Sequence, residues 1–203
     1  MPTYTTLGIL NHALVLCGAS PIDSLTESSA NARALNAVLE NERKSFLTEC
    51  RWTFALTRTT LATVATTAIQ FLYDEESYVY TRPSDVLRIW QMSDIEAIWR
   101  EEGSYIISNT ASLGTLATRD HSEYGLWRHK SVEAFIDKLC SVISFTILND
   151  KAKSQAFLEK YEKVSLPKAM AEDSQTGIHQ EVMDDAWLRS KYGNGGNPAR
   201  SYS

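Results

Sequence analysis

A chain of 203 residues can hold one decorated domain, or one domain with a small insertion, but two full domains would crowd it. Its 43% hydrophobic, 10% aromatic and 22% charged residues exclude an intrinsically disordered polypeptide and predict a packed core. The net charge of -5 opposes affinity for nucleic-acid phosphates, and most of the excess acid sits mid-chain, where residues 56–128 carry 6 basic and 10 acidic side chains.

The opening residues lack the basic start of a secretory signal, and Asn11 and His12 interrupt their apolar run. No stretch approaches the roughly 18 apolar residues of a membrane span, so the chain is expected to be cytosolic when made and to have no membrane partner. Leu7, Leu10, Leu14 and Cys17 recur at helical spacing over residues 5–17, with Gly18 and Pro21 as a stop. A second helix follows, capped by Ser28 or Ser29, with Ala32, Leu35, Val38, Leu39, Phe46, Leu47 and Cys50 on its apolar face.

At Trp52 the period changes. The run "TFALTRTTLATVATTAIQFLY" is rich in Thr and Val and reads as extended chain. Then "SYVYTRP", "DVLRIWQM", "IEAIWRE" and "SYIISN" are four short β-prone runs separated by turn residues. Helical spacing returns over 131–148, with Ser131 as the expected cap and Val132, Phe135, Ile136, Leu139, Cys140, Val142, Ile143 and Ile147 on a wide apolar face. Asn149 and Asp150 break and recap the chain, and a fourth helix over 151–172 runs through Ala156, Phe157, Tyr161 and Val164, with Pro167 expected to kink it. Beyond Gly177 the pattern thins into a polar tail too poor in apolar residues to close its own core. The expected fold is α+β, mainly α: a bundle of about four helices (1–55 and 129–176) with a small antiparallel β region (56–128) inserted between helices 2 and 3, and an extended C-terminal tail (177–203).

Catalytic and metal-binding patterns are missing from the sequence. His12, His121, His129 and His179 are scattered, with no HxxxH or HxH spacing. Cys17, Cys50 and Cys140 form no CxxC and read as buried reduced thiols. The adjacent acids Glu75/Glu76, Glu101/Glu102 and Asp184/Asp185 sit in turns or strands, where neighbours point apart, so solvated charges are expected rather than a glycosidase pair. Trp90, Trp99 and Trp127 are expected to pack the β region, and "YGNGGNP" lacks the Lys-Ser/Thr and helix of a phosphate loop. No catalytic residue, metal ligand or cofactor is assigned. This leaves an interaction protein.

Four motifs, in order, carry a resemblance. They are "LCGASPIDSL"; an Arg-x-x-Leu-x-x-x-x-W-x-F-A pattern at Arg43, Phe46, Leu47, Trp52, Phe54 and Ala55; a Tyr-x-x-Pro-x-Asp-x-Leu-Arg segment at Tyr80, Pro83, Asp85, Leu87 and Arg88; and "SFTILNDKAKSQAFLEKYEKVSLPKAMAEDSQ". Together they resemble the head-to-tail adaptor family of short-tailed bacteriophages, the tail tubular protein A-like proteins, over most of residues 7–176. Arg82 departs from the family's usual Leu before Pro83. The resemblance implies a virion neck protein, assembled in the host cytoplasm as a homo-oligomeric ring of typically twelve subunits. Such a ring binds the portal protein, extends the DNA channel without binding the DNA specifically, and offers a platform to the tail nozzle or tail tube. Within that reading Trp52 and Phe54 are expected to fill a seam between the helical bundle and the β region, and Val182, Met183, Trp187, Leu188 and Tyr192 are expected to grip the portal. A virion-associated peptidoglycan hydrolase, or a neck or head-completion protein of a long-tailed phage, is the alternative.

Overall fold

Residues 4–175 are described in this computed structural model. The five expected portal-gripping residues, Asp184, Asp185 and His179 lie outside them. Helix α1 (Thr6–Cys17) starts where the Thr5 side chain accepts from the Gly8 N–H at 3.1 Å, and ends at Gly18, whose left-handed φ of 78° closes the last turn. Asn11, the residue that interrupts the apolar run, clamps Ile22 through both its amide atoms, at 2.8 and 2.9 Å. Asn31 and Asn36 hold Ser20 and Leu25 by their carbonyls, so three side-chain amides shape the connection to helix α2 (Ala30–Glu49). Ser29 caps α2 by accepting from the Ala32 N–H at 3.1 Å.

After Trp52 a 3-10 turn (Thr53–Ala55) leads into seven strands: β1 (Leu56–Thr60), β2 (Thr63–Val64), β3 (Tyr78–Thr81), β4 (Val86–Met92), β5 (Trp99–Glu102), β6 (Tyr105–Ser108) and β7 (Gly114–Arg119). They form two antiparallel sheets, ordered β1-β7-β4 and β2-β3-β6-β5. The chain crosses between sheets four times, from β1 to β2, β3 to β4, β4 to β5 and β6 to β7, and the first and last of these crossings meet at one corner. At this corner the Leu61 N–H donates to the Leu113 carbonyl at 2.8 Å, and Leu61, Tyr80, Met92, Ile106 and Leu113 are buried together as a core of their own. The tight β5–β6 hairpin turns on Gly103 at φ 58°, the positive φ that a two-residue turn beginning with Gly requires.

This corrects the expected fold class. Strands make up 19% of the structure and helices 48%, so the fold is a mixed α+β one in which the β part has its own core. The four expected β runs each supply a strand, but "GTLATR", which is not among them, forms β7, the central strand of the first sheet. Thr115 and Thr118 are its only β-branched residues and it has no aromatic, so pairing on both edges decides its state.

Helix α3 (His129–Thr146) begins two residues before the expected cap. Ser131 lies inside it, fully buried, and the Lys130 N–H is satisfied from a distance by Glu172 at 3.0 Å. Local capping is replaced by a tertiary one. Asn149, at φ 52°, and the Asp150 cap then start α4 (Lys151–Lys160), which widens into a π turn (Tyr161–Ser165) and continues as α5 (Leu166–Ser174). Pro167 falls in the first turn of α5, so the widened turn absorbs its missing N–H without a break in the helical path.

The two cores are joined at α2. Arg43 makes a bidentate pair with Asp120, both contacts at 2.8 Å, and Arg88 on β4 donates to the Thr48 carbonyl at 3.0 Å. Register shifts around Leu87 and Trp90 re-aim β4, so that Leu87 packs on the helical core while Ile89 packs on the β core. Arg82 pairs with Glu101 at 3.0 Å.

Candidate functional site

The Trp-Phe element at the end of α2 sits in an aromatic layer. Trp52 is fully buried and donates its indole N–H to the Phe46 carbonyl at 2.9 Å. Ring centroids lie 4.8 Å apart for Phe46 and Trp52, 5.3 Å for Phe46 and Trp127, and 5.2 Å for Phe54 and Trp127. Where the sequence predicts a seam shared by both cores, these rings belong to the helical core. The junction is polar instead, carried by Arg43, Asp120 and Arg88. Trp127 likewise packs on the helices rather than in the β region, because the 3-10 turn Tyr124–Leu126 folds back under α3. Trp90 is pinned to Thr118 at 2.7 Å with Arg88 stacked over its ring, and Trp99 packs on the β core.

Under the aromatic layer lies a buried ionic network that the sequence reading overlooks. Lys138 is embedded in the apolar face of α3 and reaches Ser45 at 2.8 Å and the Glu49 carboxylate, which also accepts from Tyr161. Burial, with Glu49 beside it, pushes the Tyr161 hydroxyl well above the usual tyrosine range. The adjacent Asp137, also buried, accepts from Lys160 at 2.8 Å and Ser165 at 2.5 Å. The signal was present in "FIDKLCSV", a charged pair inside an apolar run. Each charge is matched by a partner from another helix, which is what burial of a charge requires.

The acidic pairs are engaged in surface contacts. Glu76 and Glu102 share Arg100 at 3.0 and 2.9 Å, and Glu76 also accepts from the Tyr73 N–H. Glu101 pairs with Arg82. Of the described histidines, His129 contacts Tyr4 and pairs with Glu133 at 2.8 Å. No group of three His, Cys, Asp or Glu side chains converges to hold a metal ion among the described residues, and no described helix is long and apolar enough to cross a membrane. All three cysteines are buried and unpaired; burial, with Glu49 and Asp173 nearby, pushes the Cys50 thiol up to about 11.

Among the described residues, three hollows have exposed apolar side chains in or beside their lining. On the β region, Tyr73 and Ile98 line one groove, with Phe71 edge-on to Tyr73 at 5.5 Å and Arg100 over the Tyr73 ring. On the helices, Leu16 and Val164 share a second groove, beside His12, Lys130 and Lys168. A third hollow of about 520 Å³ opens where Tyr4, Phe54, Leu126 and Trp127 meet, with Glu172 at its edge. Compared with known families and curated proteins, the chain matches no family model and no curated protein.

Proposed function

We propose that this chain is a structural virion protein, a head-to-tail adaptor whose copies form a ring on the portal, extend the DNA channel and present a platform to the tail nozzle or tube. The observation that carries the reading is the pair of exposed apolar grooves on different cores, Phe71/Tyr73/Ile98 on the β region and Leu16/Val164 on the helices. A ring needs this arrangement, because each subunit must offer two different patches to its two neighbours, whereas a two-fold dimer uses one patch twice. The motif residues support it differently: Arg43 and Arg88 fix how the two cores meet, while Trp52 and Tyr80 each brace one core from within. The acidic middle of the chain suits a channel wall, since negative charge repeated around a ring keeps the DNA duplex from sticking. A ring of twelve and a portal grip through Val182, Met183, Trp187, Leu188 and Tyr192 complete the proposal.

Light scattering with negative-stain imaging, on the protein alone and mixed with portal rings, tests it. The expected result is a defined ring on the portal, lost when residues 178–203 are deleted although the subunit stays folded. No association with any portal, together with clearing of a cell-wall substrate in a zymogram, would replace this reading with the hydrolase.

A further inference from the structure

The hollow between Tyr4, Phe54, Leu126 and Trp127 has an apolar floor, and two of its lining residues carry buried donors without partners. Leu126 is 56% exposed. The indole N–H of Trp127 and the Nε–H of Arg128 are both buried without a hydrogen-bond partner, and Arg128 makes no ion pair among the described residues. Buried donors of this kind are uncommon and call for an acceptor. Glu172 lines the same hollow, three residues before Gln175, so the rest of the chain sets out from its rim. Nine residues after Gln175 the sequence reads Asp184, Asp185, Ala186, Trp187, Leu188. An extended linker of that length spans up to about 30 Å, enough to return to the hollow.

We propose that this hollow is the docking site for the chain's own segment 184–188. Trp187 and Leu188 cover the apolar floor, and Asp184 or Asp185 pairs with the Arg128 guanidinium. Charge and shape both match: two carboxylates sit next to the two largest apolar side chains of the segment, and the hollow sets a cation next to an aromatic floor. The consequence rests on the adaptor reading. The residues that grip the portal are covered in the free subunit and released when a portal competes for them, which keeps Trp187 and Leu188 from pairing copies prematurely.

Trypsin cleavage after Arg189 in the full-length protein, followed by intact mass, tests the docking with no portal present, so a failure here is separable from a failure of the adaptor reading. Rates are referred to free peptides spanning 178–203 with the same sequence. Cleavage in the wild type is expected to be at least tenfold slower than in the Leu126→Glu or Trp187→Ala variants. Leu126 is exposed, so the Leu126→Glu variant is expected to melt as the wild type does. Wild-type cleavage as fast as the free peptide overturns the proposal. So does acceleration by Trp187→Ala alone, which places the docking elsewhere, and so does protection that fades on dilution, which assigns the hollow to a second copy.

Discussion

Trp52 makes the strongest single-residue case. Its ring stacks on Phe46 and Phe54 and its N–H is used, so Trp52→Ala removes a filled volume and leaves the Phe46 carbonyl to find another partner. A loss of about 3–5 kcal/mol in urea unfolding is expected. Asp120 is a different kind of residue. The Arg43 guanidinium beside it holds its carboxyl below the usual aspartate range, and its side chain is mostly shielded from water. A depressed folded-state pKa means the stabilisation is present above the unfolded value, near about 3.9, and is lost as pH falls through the folded one. Asp120→Asn is therefore expected to cost about 1–3 kcal/mol at pH 7, with the gap to the wild type closing below about pH 4. Unfolding curves at pH 7, 5 and 3 check this; a constant gap would show that the loss is steric rather than ionic.

At the scale of elements, the termini of the helices separate what is local from what is not. Gly18 at φ 78° ends α1, and a Cβ there would meet nothing closer than the Lys153 amine at 3.9 Å. The cost of Gly18→Ala is therefore backbone strain alone, about 1–2 kcal/mol by thermal unfolding. Both ends of α1 and the start of α2 are legible in the sequence because their caps are near neighbours. The start of α3 is not, since its N-terminal donor is answered by Glu172 from α5, and β7 is not, since its pairing partners lie 23 to 33 residues away in β4 and 54 to 62 away in β1.

The molecule as a whole is built on two hydrophobic cores bridged at α2. Ile106 is fully buried in the smaller one, between β3 and β5. Ile106→Ala is expected to lower amide protection in β2, β3 and β6 by the equivalent of about 2–5 kcal/mol, while α1 and α3 keep theirs. Equal loss in both would show that the Arg43–Asp120 and Arg88–Thr48 links make one cooperative unit. Either result bears on the proposed assembly, because the two grooves proposed to meet neighbouring subunits sit on different cores and their relative placement depends on those links.

The sequence by itself determined the amphipathic helices, the change of period at Trp52, the four β-prone runs and the burial of the cysteines, all of which follow from local periodicity and side-chain chemistry. Only the tertiary structure decided that the β region has a core of its own, that β4 turns Leu87 and Ile89 to different cores through its register shifts, and that Trp52, Phe54 and Trp127 belong to the helices. It also decided that Lys138 and Asp137 are buried and matched. The reason is common to all four. Each depends on which distant residue arrives opposite, and the free energy of that meeting is larger than the local preference it overrides.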